Sequence, residues 1–387
     1  MNAPKLRFKE FNDEWLKKEL REISQIYDGT HQTPDYIQNG VPFVSVEDIS
    51  DIEKTNKFIS KNAFEKEFKI KPQVNDILMT RITAGIIGAT AIVKNNGPLG
   101  YYVSLALIRK NKKIDVNYLN QYINCFKFKK ELNKRIIHVA FPKKINLRDI
   151  GKCKISITSI NEQQKIGKTL LLLDKKIELQ SKKIEGLKLF KLYSENKLLN
   201  SNDSIYWKKI KLNDILIEGN KEPVKNTNNF KKITIKLNLN GLEFNESKRE
   251  TSDRRPFYIR EENEIIIGKQ NYFNGSIAIV TKKFSGCICS NAIMSFKVKE
   301  EYNLKYIYLY LSQKRYMKER EFLANGTGQK ELSEKEFLKF TIKVPEDSVV
   351  KKITNIIEKI NKKINFENNK LNKLIELKKG LMQNMFV

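Results

Sequence analysis

Residues 160–191, INEQQKIGKTLLLLDKKIELQSKKIEGLKLFK, have an apolar spacing that returns 187 positions later in residues 347–378, DSVVKKITNIIEKINKKINFENNKLNKLIELK. In both segments the apolar side chains are separated by alternating steps of four and three residues. The helix-pairing positions are Ile166, Leu170, Leu173, Ile177, Ile184 and Leu187 in the first copy, and Ile353, Ile357, Ile360, Ile364, Leu371 and Leu374 in the second. This spacing is typical of helices packed as a coiled coil, and its recurrence indicates a duplicated chain.

Two polar residues interrupt each apolar row at equivalent places, Gln180 and Lys191 in the first copy and Glu367 and Lys378 in the second. A helix of roughly 40 residues is about 60 Å long and needs a partner for its apolar side. Because both copies lie in one chain, we expect the two helices to pair with each other as an antiparallel coiled coil. The alternatives are packing of each helix on a partner protein and a parallel coiled coil between two chains.

The segments that precede the helices repeat one order of elements. Trp15 and Trp207 each lead into an apolar run, and strand-like runs rich in β-branched residues follow in both copies. Leu16, Leu20 and Ile23 predict a short amphipathic helix in the first copy. The sequence thus predicts an α+β fold with two similar mixed α/β domains, at 1–158 and 201–344. Helical segments at 159–200 and 345–387 separate them, with a break after the first helix at Ser201–Ser204.

The charge balance indicates a polyanionic partner. The chain has 73 Lys and Arg residues against 45 Asp and Glu residues, a formal net charge of +28. Neutralisation of phosphates releases counterions and favours binding, so nucleic acid is the expected partner. The alternative is a lysine-rich composition that reflects only an AT-rich genome.

Other compositional features narrow the class of protein. Four cysteines and two histidines suggest neither a disulfide framework nor a histidine-rich metal site. The N-terminus lacks the apolar core of a signal peptide, and no apolar stretch reaches membrane-spanning length, so we expect a cytoplasmic protein with no membrane partner. No Walker A motif, dinucleotide-binding motif, adenine-methyltransferase motif or hydrolase motif occurs, so the sequence predicts no enzyme and no cofactor in this chain.

The remaining candidate residues occupy loops next to strand-like runs, and their side chains can contact base edges or phosphates. In the first domain the candidate DNA-binding residues are Thr30, His31, Gln32, Thr33, Tyr36, Arg81, Thr83, Lys143 and Lys144. In the second domain they are Arg254, Arg255, Lys269, Gln270, Asn271, Tyr272, Thr327, Gln329 and Lys330. Purely structural roles stay open for two of these residues. His31 could be a solvated side chain in a turn, and Arg81 could form a salt bridge.

Several motifs resemble the specificity subunit of type I restriction–modification enzymes over nearly the whole chain. The most specific is the segment 161–167, NEQQKIG, followed by LDKKI at 173–177 and KIEGLK at 183–188. The segment 377–386, LKKGLMQNMF, is similar to the distal helical region of that family. The segment 28–36 is similar to the start of its target recognition domains.

The resemblance implies that the two domains are target recognition domains, each recognising one half of a bipartite double-stranded DNA target. It implies that the helices set the spacer and bind two methyltransferase subunits, and that two restriction (motor–nuclease) subunits complete the complex. S-adenosylmethionine, ATP and Mg would then be bound by those partner subunits. The alternative functions are a fused nuclease–methyltransferase, which lacks a motif here, and a coiled-coil scaffold with a basic RNA- or lipid-binding surface.

Overall fold

The structure is a computed structural model, which describes residues 3–200, 207–245, 255–323 and 331–387. The chain forms two compact units. Unit 1 comprises Met1–Lys182 and Asn368–Val387, and unit 2 comprises Lys183–Glu367. Each unit combines one domain with the helical segments that pack on it, so the division into four segments made from the sequence stays a prediction. The predicted break at Ser201–Ser204 lies outside the described residues.

The elements that begin in unit 1 alternate between strands and helices. The strands are β1 Leu16–Glu19, β2 Ser24–Asp28, β3 Val41–Val44, β4 Phe58–Ile59, β5 Ile77–Thr80, β6 Ile82–Thr83, β7 Thr90–Ile92, β8 Gly100–Tyr101, β9 Leu105–Lys110, β10 Lys143–Lys144 and β11 Lys154–Ile157. The helices are α1 Leu20–Ile23, α2 Lys61–Glu67, α3 Val116–Ile123, α4 Phe126–Asn133, α5 Leu147–Gly151 and α6 Ile160–Leu199.

The described elements that begin in unit 2 follow the same plan. The strands are β12 Lys208–Lys211, β13 Leu216–Glu218, β14 Ile233–Ile235, β15 Leu242–Phe244, β16 Phe257–Ile259, β17 Ile265–Gly268, β18 Ile277–Ile279, β19 Ile288–Ser290, β20 Ile293–Val298 and β21 Thr341–Val344. The helices are α7 Leu212–Ile215, α8 Leu304–Leu311, α9 Lys314–Lys318, α10 Glu334–Leu338 and α11 Asp347–Met385.

A four-stranded antiparallel sheet lies at the centre of each unit. Its strand order is β2-β9-β5-β7 in unit 1 and β13-β20-β17-β18 in unit 2, so equivalent strands take equivalent places. A two-stranded sheet joins the start of each domain to its end, β1 with β11 and β12 with β21. The duplication inferred from the sequence is therefore a duplication of topology as well.

One local prediction is wrong. Leu16–Glu19 is not the first turn of an amphipathic helix but strand β1, which pairs antiparallel with β11 so that Leu16 is opposite Ile157. The helix α1 begins only at Leu20, and it buries Leu20 and Ile23. Pairing with a strand distant in sequence overrides the local helical spacing here.

In unit 1, the first part of α6 packs antiparallel to the last part of α11. Ile166 and Leu170 share a buried cluster with Met385 and Phe386, and further along the helices Asp174 forms an ion pair with Lys378. As one residue number rises the partner's falls, which defines the antiparallel direction.

In unit 2, the second part of α6 packs antiparallel to the first part of α11. Leu199 shares a buried cluster with Val350 and Ile353, and Lys183 forms an ion pair with Glu367. All twelve predicted helix-pairing residues are buried or half-buried, and so are the polar residues Gln180, Lys191, Glu367 and Lys378. The 4-3 spacing thus follows the packed sides of both helices.

The start of α6 is fixed to α3 by the residues of the NEQQKIG segment. Gln163 is buried, accepts a hydrogen bond from the backbone N–H of Asp115 (3.0 Å) and donates one to the carbonyl of Thr158 (2.7 Å). Glu162, also buried, accepts two hydrogen bonds from the Arg7 guanidinium at 2.8 and 2.7 Å. A Cβ at Gly167 would lie 2.6 Å from the backbone nitrogen of Tyr118, so only glycine permits this close approach.

Candidate nucleic-acid interface

A short antiparallel ribbon lies at one end of the central sheet of unit 1. It consists of β6 and β10, with Thr83 opposite Lys143 and Ile82 opposite Lys144. Both lysine side chains are exposed and Thr83 is half-buried. The ribbon thus brings together three residues that the sequence predicted to contact DNA from segments 60 positions apart.

Arg81 connects β5 to this ribbon, and its side chain turns inward. It is 7% exposed, and its Nη2 donates a hydrogen bond to Asp28 Oδ1 at 2.8 Å. The other carboxylate oxygen of Asp28 lies 2.9 Å from His31 Nε2. The prediction of Arg81 as a direct DNA contact is therefore corrected: the buried, ion-paired guanidinium positions the loop that contains His31.

The loop after β2 divides into inward and outward side chains. Thr30 is 8% exposed and its Oγ1 donates to Glu67 Oε2 at 2.9 Å, which corrects its assignment as a direct contact. The backbone N–H of Gln32 donates to the same Oγ1 (3.2 Å), which holds the loop in a tight turn. The exposed side chains of the predicted set are His31, Gln32, Thr33 and Tyr36.

Two of the outward side chains of this loop contact aromatic residues. The Tyr36 ring centroid lies 5.8 Å from that of Phe43, and Thr33 Oγ1 lies 3.5 Å from the hydroxyl of Tyr102. Tyr36 nevertheless leaves half of its surface exposed. An exposed aromatic ring beside amide and hydroxyl groups suits contact with bases and sugars.

Unit 2 has a cation at the equivalent strand end. Lys269 directly follows β17, as Arg81 directly follows β5. Its ammonium lies 3.7 Å from Glu334 Oε1, and its side chain is 20% exposed. In both units a carboxylate thus pairs with the cation at this strand end, which leaves Lys269 only partly available to DNA.

A polar cleft of about 320 Å³ lies beside this strand end in unit 2. Its lining contains the predicted residues Arg255, Gln270 and Asn271, together with Lys232 and Asn245. Lys232 also places its ammonium 4.8 Å from the centre of the Phe257 ring. Amide groups among cations can contact both base edges and phosphates, so this cleft is the candidate DNA-contacting surface of unit 2.

Tyr272 is corrected from a DNA contact to a core residue. It is fully buried, its hydroxyl donates to the carbonyl of Leu311 at 2.8 Å, and its ring meets Phe337 edge-on with centroids 5.5 Å apart. The other predicted residues of unit 2, Arg254, Thr327, Gln329 and Lys330, lie outside the described residues.

Sequence reasoning missed Asp28 and Lys232. Asp28 ends β2 and is the shared partner of Arg81 and His31, whereas Lys232 precedes β14 and lines the cleft. Asp28 stood at the start of the segment that resembles the family, so that resemblance was its only signal. Lys232 is one lysine among many, and no pattern in the sequence distinguished it.

Burial shifts the pKa of several groups in unit 1. It lowers the pKa of Lys129 to about 8, and the Lys129 ammonium donates to the carbonyl of Gly88. Burial also raises the pKa of Cys125 and Cys153, the latter to about 12, so these thiols have little thiolate character near neutral pH.

Within the described ranges, no group of His, Cys, Asp and Glu side chains is arranged to bind a metal ion. None of the described helices combines the length and apolarity that crossing a bilayer requires.

Comparison with solved structures shows what this fold is similar to. The chain matches the structure described as the S subunit of a type I restriction–modification system from M. genitalium with a TM-score of 0.62 and 15% identity, over 100% of this chain and 99% of that one. A structure described as the basis of complex assembly and conformational transition of the type I R-M system matches with a TM-score of 0.56 and 11% identity, over 96% and 97%. At these identities the likeness establishes the fold alone.

The family model for the type I restriction modification DNA specificity domain matches residues 12–189 and again residues 205–377. The two matches cover most of the chain and correspond to its two copies. The chain therefore belongs to the family of type I restriction–modification DNA specificity subunits, and it is a non-catalytic subunit that determines which DNA sequence is recognised.

Proposed function

We propose that each unit recognises one half of a bipartite target in duplex DNA, and that the paired helices set the distance between the halves. The observation that supports this most is the common design of the two units. In each, the same strand of the central sheet, β5 or β17, leads to a polar surface, while the loop sequences differ. That surface is the ribbon with Thr83, Lys143 and Lys144 in unit 1, and the cleft with Gln270 and Asn271 in unit 2. A shared scaffold with divergent loops suits two recognition sites for different base sequences.

The direct test exchanges one unit at a time. The chain is produced with its methyltransferase subunit, and the methylated sequence is determined by methylome sequencing of the host. Replacement of residues 1–158 by the equivalent domain of another family member should change one half of the target and leave the other unchanged. A change in both halves, or in neither, contradicts recognition by separate units.

The spacer function has its own test. Insertion of seven residues after Lys182 in α6 and after Glu367 in α11 keeps both apolar rows in phase and lengthens the pair by about 10 Å. We expect the spacer to grow by about three base pairs, with unchanged half-sites. A four-residue insertion in α6 alone is the matched control, because it breaks the pairing register. An unchanged spacer in the first variant contradicts the proposal.

We propose further that two methyltransferase subunits dock on the outer sides of the helices. Large apolar side chains off the paired rows are exposed there: in unit 1 Leu172, Leu179, Ile375 and Leu377, and in unit 2 Leu189, Phe190, Tyr193, Ile356 and Phe366. Exposed apolar rows of this kind mark protein interfaces. Leu172→Glu should abolish co-purification with the methyltransferase, whereas Ile217→Glu, at a similarly exposed strand position, should not.

The remaining partners follow from the same proposal. Methyltransferase subunits would bind S-adenosylmethionine, and two restriction subunits would bind ATP and Mg, in the cytoplasm where the host DNA lies. A complex reconstituted from all three subunits should therefore cleave unmethylated target DNA only with ATP and Mg present. This chain alone should not cleave the DNA, with or without ATP and Mg.

A further inference from the structure

An apolar loop tip projects from the ribbon of unit 1. We call residues 139–141, Val-Ala-Phe, the apolar tip. Val139 is 98% exposed and Phe141 is 92% exposed, the largest values among the exposed large hydrophobic residues of the described chain. Two large apolar side chains exposed side by side give up the free energy of their burial, and an exposed apolar cluster is a feature of binding sites.

The apolar tip is held by a defined framework. On one side Ile137 forms a bridge with Lys144, and on the other β10 pairs with β6. Immediately after β10, the backbone N–H of Ile145 donates to the carbonyl of Arg81 at 3.0 Å, and Ile145 is buried. The tip is therefore joined to the same strand end as the candidate DNA-contacting residues of unit 1.

The cations before and after the apolar tip differ. Lys134 and Arg135, before it, form ion pairs with Glu131. Lys143 and Lys144, directly after the tip, are both exposed. An apolar ring beside exposed cations complements duplex DNA, in which stacked bases lie between two rows of phosphates.

We propose that Phe141 enters a groove of the DNA and inserts against a base step, while Lys143 and Lys144 contact the adjacent phosphates. This inference rests on the proposed function and adds to it a residue that deforms the target. Apolar side chains inserted between base pairs partly unstack them, and the sequence dependence of that deformation contributes to specificity.

A groove next to the ribbon provides a control that distinguishes DNA insertion by Phe141 from docking of a protein. A cavity of about 630 Å³ beside the ribbon is lined by Ile86, Phe126, Lys129, Lys143 and other residues, but not by Phe141. Phe126 is 73% exposed and is thus a matched aromatic control. Phe141→Ala should weaken DNA binding. Phe126→Ala should instead weaken the binding of a protein, if one docks in the groove.

The experiment uses the complex of the full chain with its methyltransferase and the target found by methylome sequencing. The adenine analogue 2-aminopurine, which fluoresces more when unstacked, is placed at successive positions of the half-site assigned to unit 1. Apart from the adenine that the methyltransferase itself extrudes from the duplex, we expect fluorescence to rise at one step on binding. Phe141→Ala should remove the rise and weaken binding about tenfold, with an unchanged salt dependence. Phe141→Trp should restore both, and Phe126→Ala should leave both intact.

Two results would overturn the proposal. One is a Phe141→Ala complex with wild-type affinity and fluorescence while the target is still bound, which leaves the proposed function in place. The other is an equal loss in Phe126→Ala together with loss of the methyltransferase, which identifies a protein interface instead. A wild-type complex that shows no preference for any target would overturn the proposed function itself.

Discussion

Lys183 Nζ of α6 lies 2.7 Å from Oε1 of Glu367 on α11, and the Glu367 side chain is buried. Lys363, one turn before Glu367, lies 3.2 Å from the same oxygen. The lysine side chains are each about half exposed, whereas Glu367 is 1% exposed. The charged groups of this cluster therefore differ in how much water each can reach.

This asymmetry predicts unequal effects of substitution. Replacement of both lysines by Met leaves a buried carboxylate without these two cations and should lower the free energy of unfolding by about 2 kcal/mol. Glu367→Leu leaves lysines that can turn to water, so it should cost less, and an apolar residue suits the paired row. Urea denaturation compares the variants, with Lys182→Met and Lys362→Met as exposed controls. A larger loss in Glu367→Leu would contradict the argument.

The residues after α11 provide a second prediction. Phe386 is 1% exposed between Tyr118 and Tyr122, with ring centroids 5.4 and 5.1 Å away. Phe386→Ala should reduce the free energy of unfolding by about 3–4 kcal/mol, because it opens a cavity in the core of unit 1. Phe366→Ala, at a 62% exposed position of α11, is the control and should change stability by less than about 0.5 kcal/mol. Similar effects of the two substitutions would mean that Phe386 is not packed as described.

The helices could be predicted from the sequence because their packing repeats with a short period. Alternating steps of four and three residues fix which positions of α6 and α11 face a partner, and the burial of Ile166 and Ile353 follows that pattern. The order of strands in the sheets repeats as well, but which strands are neighbours depends on contacts between distant residues. The pairing of β1 with β11, which replaced a predicted helix at Leu16, is one such case.

The candidate site was less predictable because a loop sequence does not tell which side chains turn inward. Arg81 and Asp28 are 53 residues apart in sequence, and their ion pair follows only from the fold. Tyr272 has polar neighbours in sequence, yet it fills the core under α8 and α10. The NEQQKIG segment indicated the family, but only the structure gives its physical role, the close contact of α6 with α3 at Gly167.

The Arg81–Asp28 pair yields a third prediction. Because Arg81 is buried and Asp28 is its charged partner, Arg81→Met should lower the free energy of unfolding by about 2 kcal/mol and loosen the loop that contains His31. Asp28→Asn should have a smaller effect, and the double variant should lose less than the sum of the two, with a coupling above about 1 kcal/mol. Thermal or urea unfolding of the four proteins measures this coupling. Additive losses would show that the two side chains stabilise the loop independently.

A fourth prediction concerns pH. Burial lowers the pKa of Lys129 to about 8, from an ordinary value of 10.5. Between these values the folded protein has released the proton while the unfolded chain retains it, so the free energy of unfolding contributed by Lys129 rises with pH from about 8 to about 10.5. Below pH 8 both states are protonated and this slope vanishes.

Lys129→Met removes this contribution. From pH 7 to pH 9.5 we expect the wild-type protein to gain stability relative to the variant, measured by urea denaturation at both values. Lys130→Met, an exposed neighbour on the same helix, should keep the wild-type pH dependence. A constant difference between Lys129→Met and the wild-type protein would show that Lys129 remains accessible to water.

A fifth prediction concerns which end of the sheet of unit 1 contacts DNA. The salt dependence of DNA affinity in lysine variants measures it. Lys143 and Lys144 are exposed beside Arg81, whereas the exposed pair Lys112 and Lys113 follows the opposite end of β9. Each phosphate contact contributes about 0.9 to the slope of log affinity against log salt concentration. Replacement of Lys143 and Lys144 by Ala in the methyltransferase complex should therefore reduce that slope by up to about 1.8, at both specific and nonspecific sites.

The same change at Lys112 and Lys113 should leave the slope unaltered, because the six residues of β9 separate that pair from the ribbon. If the two double variants lose equal slope, phosphates contact both ends of the sheet, and the ribbon is not the principal DNA-contacting element of unit 1.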